Sequence, residues 1–346
     1  MTHMNFKIKE SDVTIGKECP CCQSNSVKLI SECVNPQGVR FLATSICENC
    51  GHVFRSRVPS ESWFNHAFQI RHEEQQKTGF NPLNPEIEKQ RYERYHAIGH
   101  FLSKRFGIEK NALLDVGCGP GTGLDAFNDL GFDVVGVDPD ESRARFAIEK
   151  GHEIHLGEFS TFITEQKFDF ITLIHSLEHF QNPEFFLRKA LEHAHEHTLF
   201  YVEVPEVLDH VLDWNDSLYL AHISNFNATS LENLAARCGW DLLEQVNPYM
   251  ESELHKGHLA MVFRPRLSTV PNSVKSLNDH QVNEIVSRYY QGVPDVRKDF
   301  PMIIKVKEVN DISLGYKGIK ELKKDVHDNY ANRSITRTGD NTYYVS

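Results

Sequence analysis

The sequence predicts an α/β domain built on a doubly wound, mostly parallel sheet, with a small cysteine-rich module before it and an extension after it. Three observations carry that prediction. Ala112 to Val116 is apolar apart from Asp115, and is followed by glycine at 117, 119, 121 and 123 and then by a helical pattern from Leu124 to Leu130. A second apolar run, "DVVGVD" at 133–138, ends in an acid 23 residues beyond Asp115. From there to residue 266, short apolar runs alternate with helical patterns, the signature of parallel strands joined by crossover helices. A chain of 346 residues has room for one large domain and smaller ones. The reading divides it into a cysteine module (1–58), a linker and lid helix (59–110), the α/β core (111–266) and a C-terminal extension (267–346).

The first module is defined by its thiols. The N-terminus carries charges throughout and has no apolar stretch of signal-peptide type, so the cytoplasm is the expected compartment. Clustered cysteines in a reducing compartment point to metal rather than disulfides. Six of the eight cysteines lie within the first 50 residues. "CPCC" (19–22) and "CENCG" (47–51) give C-x2-C, 24 residues, C-x2-C. Each pair presents two thiolates from one tight turn, and Cys19, Cys22, Cys47 and Cys50 together complete a tetrahedron around zinc. Four thiolates leave no open position, so the expected role is structural. Gln23 stands where the first knuckle ordinarily has glycine. Cys21, Cys33 and His52 are nearby competitors for the metal. A module this short buries little core, and metal supplies the missing stability.

Prolines 59, 82 and 85 mark the linker. "PEIEKQRYERYHAIGHFLSKRF" (85–106) then has helical spacing and opens on proline, as a helix N-terminus tolerates. Ala112–Val116 is the first core strand, buried on both faces. The loop after it constrains the ligand. A dinucleotide fingerprint would read G-x-G-x-x-G, but Thr122 stands three after Gly119, and Leu124 three after Gly121. Asp115, at the mouth of the loop, would repel a pyrophosphate and welcome an ammonium or a sulfonium. S-adenosylmethionine carries both cations and no phosphate. Asp138, ending the next strand, can hold both hydroxyls of a ribose.

This pair of motifs resembles motifs I and II of the class I S-adenosylmethionine-dependent methyltransferases, over about residues 86–266. The resemblance implies a seven-stranded Rossmann-like sheet. It implies that Asp115 and the amides of Gly117, Gly119 and Gly121 face the methionine moiety. Asp138 then faces the ribose and Glu158 the adenine amino group, with Pro139 and His175 also on the cofactor side. The remaining strands are expected at 152–158, 167–176 and 197–205, and the helices at 140–150, 183–195 and 228–240, the last stopped by Gly239. "WDLLEQV" and "HLAMVFR" are expected as the antiparallel pair that closes the sheet in this family. "HAHEH" (193–197) reads as a helix end, where imidazolium suits the negative end of the dipole.

Two segments are candidates for the acceptor side. "HSLEHF" (175–180) follows the fourth strand and places His175, Glu178 and His179 on one face if it is helical. "YLAHISNFNATSL" (219–231) follows the fifth strand. Tyr219, His222, Phe226 and the Ser230–Gly239 helix resemble the acceptor segment of sugar-modifying methyltransferases, which also bear an N-terminal zinc module. Ala221 replaces the glutamate of the C-methylating members. The resemblance implies a nucleotide-sugar or saccharide acceptor, O- or C-methylated, with His222 as general base. A rival resemblance is to the E-x-x-E-H segment of magnesium-dependent O-methyltransferases. There Glu178, His179 and His222 would hold a divalent ion that acidifies a hydroxyl.

Charge argues against nucleic acid as acceptor. The net charge is −11, which repels a polyanion. The alternative of a ribosomal or transfer RNA methyltransferase, gripping RNA with its zinc ribbon, calls for a basic ribbon. Residues 1–60 hold seven Lys or Arg against five Asp or Glu, only +2. No Asn/Asp-Pro-Pro-Tyr motif follows the fourth strand. No apolar run approaches the ~18 residues of a membrane span. In the extension, "SLNDHQVNEIVSRYYQ" reads as a helix and "TYYVS" as a strand, fitting a small appended domain or a dimer element.

Overall fold

The computed structural model describes residues 8–35, 37–64, 83–107, 111–207, 222–248, 258–267, 273–289, 302–306, 335–337 and 342–345. Its strands, in chain order, are β1 (Val13–Ile15), β2 (Val27–Val34), β3 (Arg40–Cys47), β4 (Val53–Pro59), β5 (Ala112–Val116), β6 (Asp133–Asp138), β7 (Glu153–Leu156), β8 (Phe168–Ile174), β9 (Ala194–Pro205), β10 (Ser224–Asn225), β11 (Trp240–Val246), β12 (His258–Pro265), β13 (Met302–Val306), β14 (Ile335–Arg337) and β15 (Thr342–Val345). The helices are α1 (Pro85–Phe106), α2 (Thr122–Asp129), α3 (Glu141–Glu149), α4 (Pro183–Glu192), α5 (Ala228–Arg237) and α6 (Asp279–Tyr289). Among the described residues no helix is long and apolar enough to cross a membrane.

The central sheet has seven strands in the order β11-β12-β9-β8-β5-β6-β7. Strands β7, β6, β5, β8 and β9 run parallel, and β12 and β11 run antiparallel at one edge. This is the expected α/β sheet with its closing antiparallel pair. Leu113, Leu114, Phe170 and Ile171 are fully buried in its centre, as strands covered by helices on both faces require. The chain reverses direction of winding between β5 and β8, and ligands of such sheets sit outside the carboxyl ends at that switch.

Helix α1 is fixed at both ends. Asn84 caps it by accepting from the amides of Glu86 and Ile87, and Gly107 ends it with φ 70°. It packs on α2 at close range: a Cβ on Gly123 would lie 2.3 Å from the Tyr95 ring, and one on Gly99 would lie 2.6 Å from Leu130. The alternating glycines therefore serve packing as well as ligand access.

A second sheet draws strands from both ends of the chain, in the order β1-β4-β3-β2-β13-β15-β14. Strand β13 lies parallel to β2, with Met302 opposite Ser31. Strand β10, from the core, pairs with β4, placing Ser224 opposite Phe54 and Asn225 opposite Val53.

Three local expectations are corrected. The helix expected to 195 ends at Glu192, and β9 starts at Ala194, which pairs with Phe168. His195 and His197 are thus strand residues, while His193 is buried against Phe159 and Phe162. "HSLEH" is a single 3-10 turn, Leu177–His179. It is entered through His175 at φ 50°, so His175 does not share a helical face with Glu178 and His179. The third core strand is shorter than expected, Glu153–Leu156.

Candidate active site at the carboxyl ends of the parallel strands

The loop after β5 turns on three left-handed glycines, Gly117 (φ 86°), Gly119 (φ 54°) and Gly121 (φ 77°). A side chain at such φ is strained, and at Gly117 a Cβ would also strike Ser176 Oγ at 2.2 Å. The loop is tied to the end of β6: the Gly117 amide donates to the Val137 carbonyl (2.8 Å), and Asp138 Oδ2 accepts from the Gly119 amide (2.8 Å). Asp138 Oδ1 accepts from the Asp140 amide, also at 2.8 Å. Asp138 therefore shapes the loop, and each of its oxygens keeps a lone pair for a ligand hydroxyl.

Beneath the loop lies Asp115, 1% exposed. Its Oδ1 accepts from Thr172 Oγ1 at 2.7 Å, while its buried Oδ2 has no hydrogen-bond partner among the described residues. Burial pushes its pKa up to about 7; the Thr172 bond opposes this and the Asp138 charge adds to it. A carboxylate held this way is matched to an incoming cation.

A cavity of 280 Å³ opens above the loop. Of the sequence-derived candidates, Gly117, Gly119, Asp138, Pro139, Glu158, His175 and His179 line it. Gly121 instead packs on α3, where a Cβ would come 2.5 Å from that of Ala147. Burial raises the Glu158 pKa, with Glu61 and Asp138 adding repulsion. The sequence reading missed Arg91, Arg94 and Tyr95, which α1 brings into the same cavity, and Arg143 from α3. It also missed an apolar wall of Phe159, Phe180 and Phe186, in which the Phe180 and Phe186 rings stack 3.4 Å apart. Pro85 and the helical spacing gave α1 away; nothing in the spacing told which face meets a ligand.

The rim beyond β8, β9 and β12 is a cluster of titratable side chains. Glu203 is fully buried and takes the Arg94 guanidinium, the Tyr201 hydroxyl and, at 3.3 Å, His175 Nε2. The other nitrogen of His175 lies 3.5 Å from Glu178 Oε1. Burial drives the His175 pKa well down, and the nearby Arg94 and His258 reinforce this. Glu178 is 1% exposed, and neither of its oxygens has a hydrogen-bond partner among the described residues. Burial raises its pKa, against the pull of His179 and Arg94. His179 opens to the cavity and its ring lies 5.0 Å from that of His222, which is 5% exposed and stands behind it. Tyr219 lies outside the described residues.

Two triads here place metal-capable donor atoms within 4.8 Å of one another: His175, Glu203 and His258, and Glu178, His179 and His222. In the first, the Arg94 guanidinium already supplies the positive charge beside Glu203.

The structure also gathers Cys19, Cys22, Cys47 and Cys50, with sulfurs within 4.8 Å of one another. Cys19–Cys50 and Cys22–Cys47 are 3.6 and 3.5 Å apart, close to the ~3.8 Å edge of a tetrahedron with sulfur about 2.3 Å from its centre. The knuckles are alike: the Gln23 amide donates to the Cys19 carbonyl and the Gly51 amide to the Cys47 carbonyl, each at 2.9 Å. Gln23 adopts φ 59° and Gly51 φ 69°, so glutamine takes the left-handed role that glycine usually fills. Cys21 and Cys33 stand outside the cluster, and His52 packs its ring on Phe54 and Phe226.

Residues 87–245 match the family model described as a methyltransferase domain. This stretch is a class I S-adenosylmethionine-dependent methyltransferase domain. The protein is an S-adenosylmethionine-dependent methyltransferase. Similar solved structures include the CcbJ methyltransferase from Streptomyces caelestis, at 15% identity and TM-score 0.42, covering 50% of this chain and 89% of that one. An S-adenosylmethionine-dependent methyltransferase from Clostridium acetobutylicum matches at 11% identity and TM-score 0.43, covering 58% and 99%. The 1,6-didemethyltoxoflavin-N1-methyltransferase from Burkholderia thailandensis matches at 16% identity and TM-score 0.45, covering 62% and 96%. No curated protein sequence matches the chain. In this methyltransferase domain, Asp115 and the glycine loop follow β5 at the switch point of the sheet, and Asp138 stands at the carboxyl end of the neighbouring β6.

Proposed function

We propose that the methyltransferase acts on a small polar acceptor, a saccharide or nucleotide sugar, which meets the methyl group at the rim formed by His175, His179 and Glu178. The observation that carries this reading is the buried Asp115 carboxylate, one oxygen of which lacks a hydrogen-bond partner among the described residues, directly before a loop of left-handed glycines. Asp115 does not itself line the cavity but sets an acid behind the lining residues Val116 and Gly117, and the imidazole-lined rim offers proton-accepting groups. When bound, S-adenosylmethionine supplies an electrophilic methyl on a sulfonium. Asp115 receives the methionine ammonium, Asp138 the ribose hydroxyls and Glu158 the adenine amino group. His179, at the cavity wall, takes the one acceptor proton, His222 backs it from behind and stands as the alternative base, and Glu178 balances the imidazolium that forms.

The saccharide assignment rests on the resemblance of His222, Phe226 and the α5 helix to the acceptor segment of sugar-modifying enzymes. Ala221 in place of glutamate favours a hydroxyl over a carbon as the methylated atom. Cys19, Cys22, Cys47 and Cys50 hold a structural zinc on this reading. The test is a methyl-transfer screen over nucleotide sugars with mass-spectrometric readout. A mass gain of a CH2 unit on one class of sugar supports the reading; methylation of structured RNA and of no sugar overturns it.

One observation favours a second mechanism for the same rim. A buried carboxylate with no hydrogen bond among the described residues, beside two imidazoles, is also a ligand set for a divalent ion. Turnover that chelation abolishes and magnesium or manganese restores would select it.

A further inference from the structure

We infer that Arg55, in the N-terminal sheet, is a positioning residue for the acceptor rim, and that it acts by holding the main chain of His222. The inference rests on the reading that His222 belongs to that rim.

Arg55 is 4% exposed. Its Nε donates to the His222 carbonyl at 3.1 Å, and its amide donates to the Ile223 carbonyl at 2.8 Å. A second arm of the guanidinium donates to Thr44 Oγ1 on β3, which fixes the fork from behind. A planar fork gripped on two sides has little freedom left, so the carbonyl it holds is fixed as well. On its other side, the same segment is tied to the core: the Ile223 amide donates to the Glu178 carbonyl at 2.8 Å. His222 thus hangs between Arg55 of one sheet and the Glu178 turn of the other, with its ring against His179.

The grip continues to the cysteine cluster. Strand β10 pairs with β4 at Phe54 and Val53. Asn227 donates from Nδ2 to the Cys50 carbonyl (3.0 Å) while its Oδ1 caps α5 at Ser230. At the other end of α5, Arg237 donates to the carbonyls of Pro20 (2.9 Å) and Cys21 (3.2 Å). The knuckle is enclosed as well, since a Cβ on Gly51 would strike Leu277 and Ile285 of the C-terminal extension at 2.6 and 2.7 Å. The six residues from Cys50 to Arg55 therefore connect the thiol cluster to the His222 carbonyl through a paired strand. A module that served only as a remote clamp would not place its one buried guanidinium among these bonds on the residue that backs the catalytic wall.

The test is nuclear magnetic resonance of histidine rings in protein labelled at histidine and saturated with S-adenosylhomocysteine, with signals assigned by His222→Gln and His179→Gln. In Arg55→Met, the His222 and His179 signals shift, while that of His152, held by Asp125 on the far side of the glycine loop, stays in place. The melting temperature falls, but affinity for S-adenosylhomocysteine stays within about twofold, because Arg55, Thr44 and His222 are not among the residues that line the cavity. Arg55→Lys, which keeps the charge but offers a point donor for a fork, shifts the two signals less. If Arg55→Met proves insoluble, Arg55→Lys and Thr44→Val are read against the same two outcomes. Unmoved His222 and His179 signals in a folded variant would overturn the inference. So would a uniform shift of all three signals with loss of S-adenosylhomocysteine binding, which marks a purely structural role. The readout does not depend on turnover. If His222→Ala leaves methyl transfer intact while Arg55→Met still moves the two rings, the functional reading of His222 fails and the positioning by Arg55 stands.

Discussion

Replacing Asp115 by asparagine keeps the shape of the side chain and removes its charge. In the structure the Asp115 carboxyl titrates at about 7 because it is buried, against 3.8 for an ordinary aspartate. The unfolded chain therefore loses this proton near pH 4 and the folded, ligand-free protein near pH 7. Between those values the folded state binds more protons, so stability falls as pH rises and is lowest above 7. Three pH units at about 1.4 kcal/mol each set the penalty at roughly 4 kcal/mol. A cofactor ammonium beside Oδ2 reverses the logic, because it needs the ionised form. Affinity for S-adenosylmethionine should then fall about tenfold for each pH unit below about 7. Asp115→Asn should melt higher than the natural protein at pH 8, and should bind the cofactor roughly 10- to 100-fold more weakly there, as expected for one hydrogen bond to a charged group. Its affinity should vary less steeply over about pH 5.5 to 8 than that of the natural protein, because only Asp138 and Glu158, whose pKa values burial also raises, still titrate on the cofactor side. Isothermal calorimetry across that range is the assay. A flat profile in the natural protein, or the same slope in Asp115→Asn, would refute the reasoning.

The acceptor rim and the thiol cluster make their own predictions. His179→Ala and His222→Ala should each lower turnover by ~100-fold or more while leaving cofactor affinity near normal; if His222→Ala alone turns over normally, His179 acts without it and the assignment of His222 is wrong. Metal analysis should find about one zinc per chain. Cys47→Ser should lose it and become sensitive to proteolysis in the N-terminal sheet, and full zinc content in that variant would move the site elsewhere.

Much of the core was legible because its signals are local. A strand, a bare loop and a helix start follow one another within 112–130, and Asp138 ends its strand in plain view. What escaped the reading depends on tertiary context. Nothing in the identity of His175 shows that its backbone takes φ 50°, yet that conformation turns "HSLEH" from a helix face into a pivot between Glu203 and Glu178. Ala194 opens a strand because Phe168 pairs with it, and the pairing outweighs a helical pattern that runs on through "HAHEH". Arg91, Arg94 and Tyr95 sat unremarked in a helix whose spacing was read correctly, since periodicity tells which residues share a face and not what that face meets. The pairing of β13 with β2 joins residues about 270 positions apart, which no local pattern encodes.

The central claim is that the cofactor binds between the glycine loop and the end of β6, and its most direct test is titration of the purified protein with S-adenosylmethionine beside its Asp138→Ala variant. Asp138 holds the Gly119 and Asp140 amides and faces the cavity, so its removal loosens the loop and takes away the hydroxyl acceptors together. One molecule should bind per natural chain, and the variant should bind at least about tenfold more weakly, the loss expected for a charge-assisted hydrogen bond. Equal affinity in the two proteins would contradict the account.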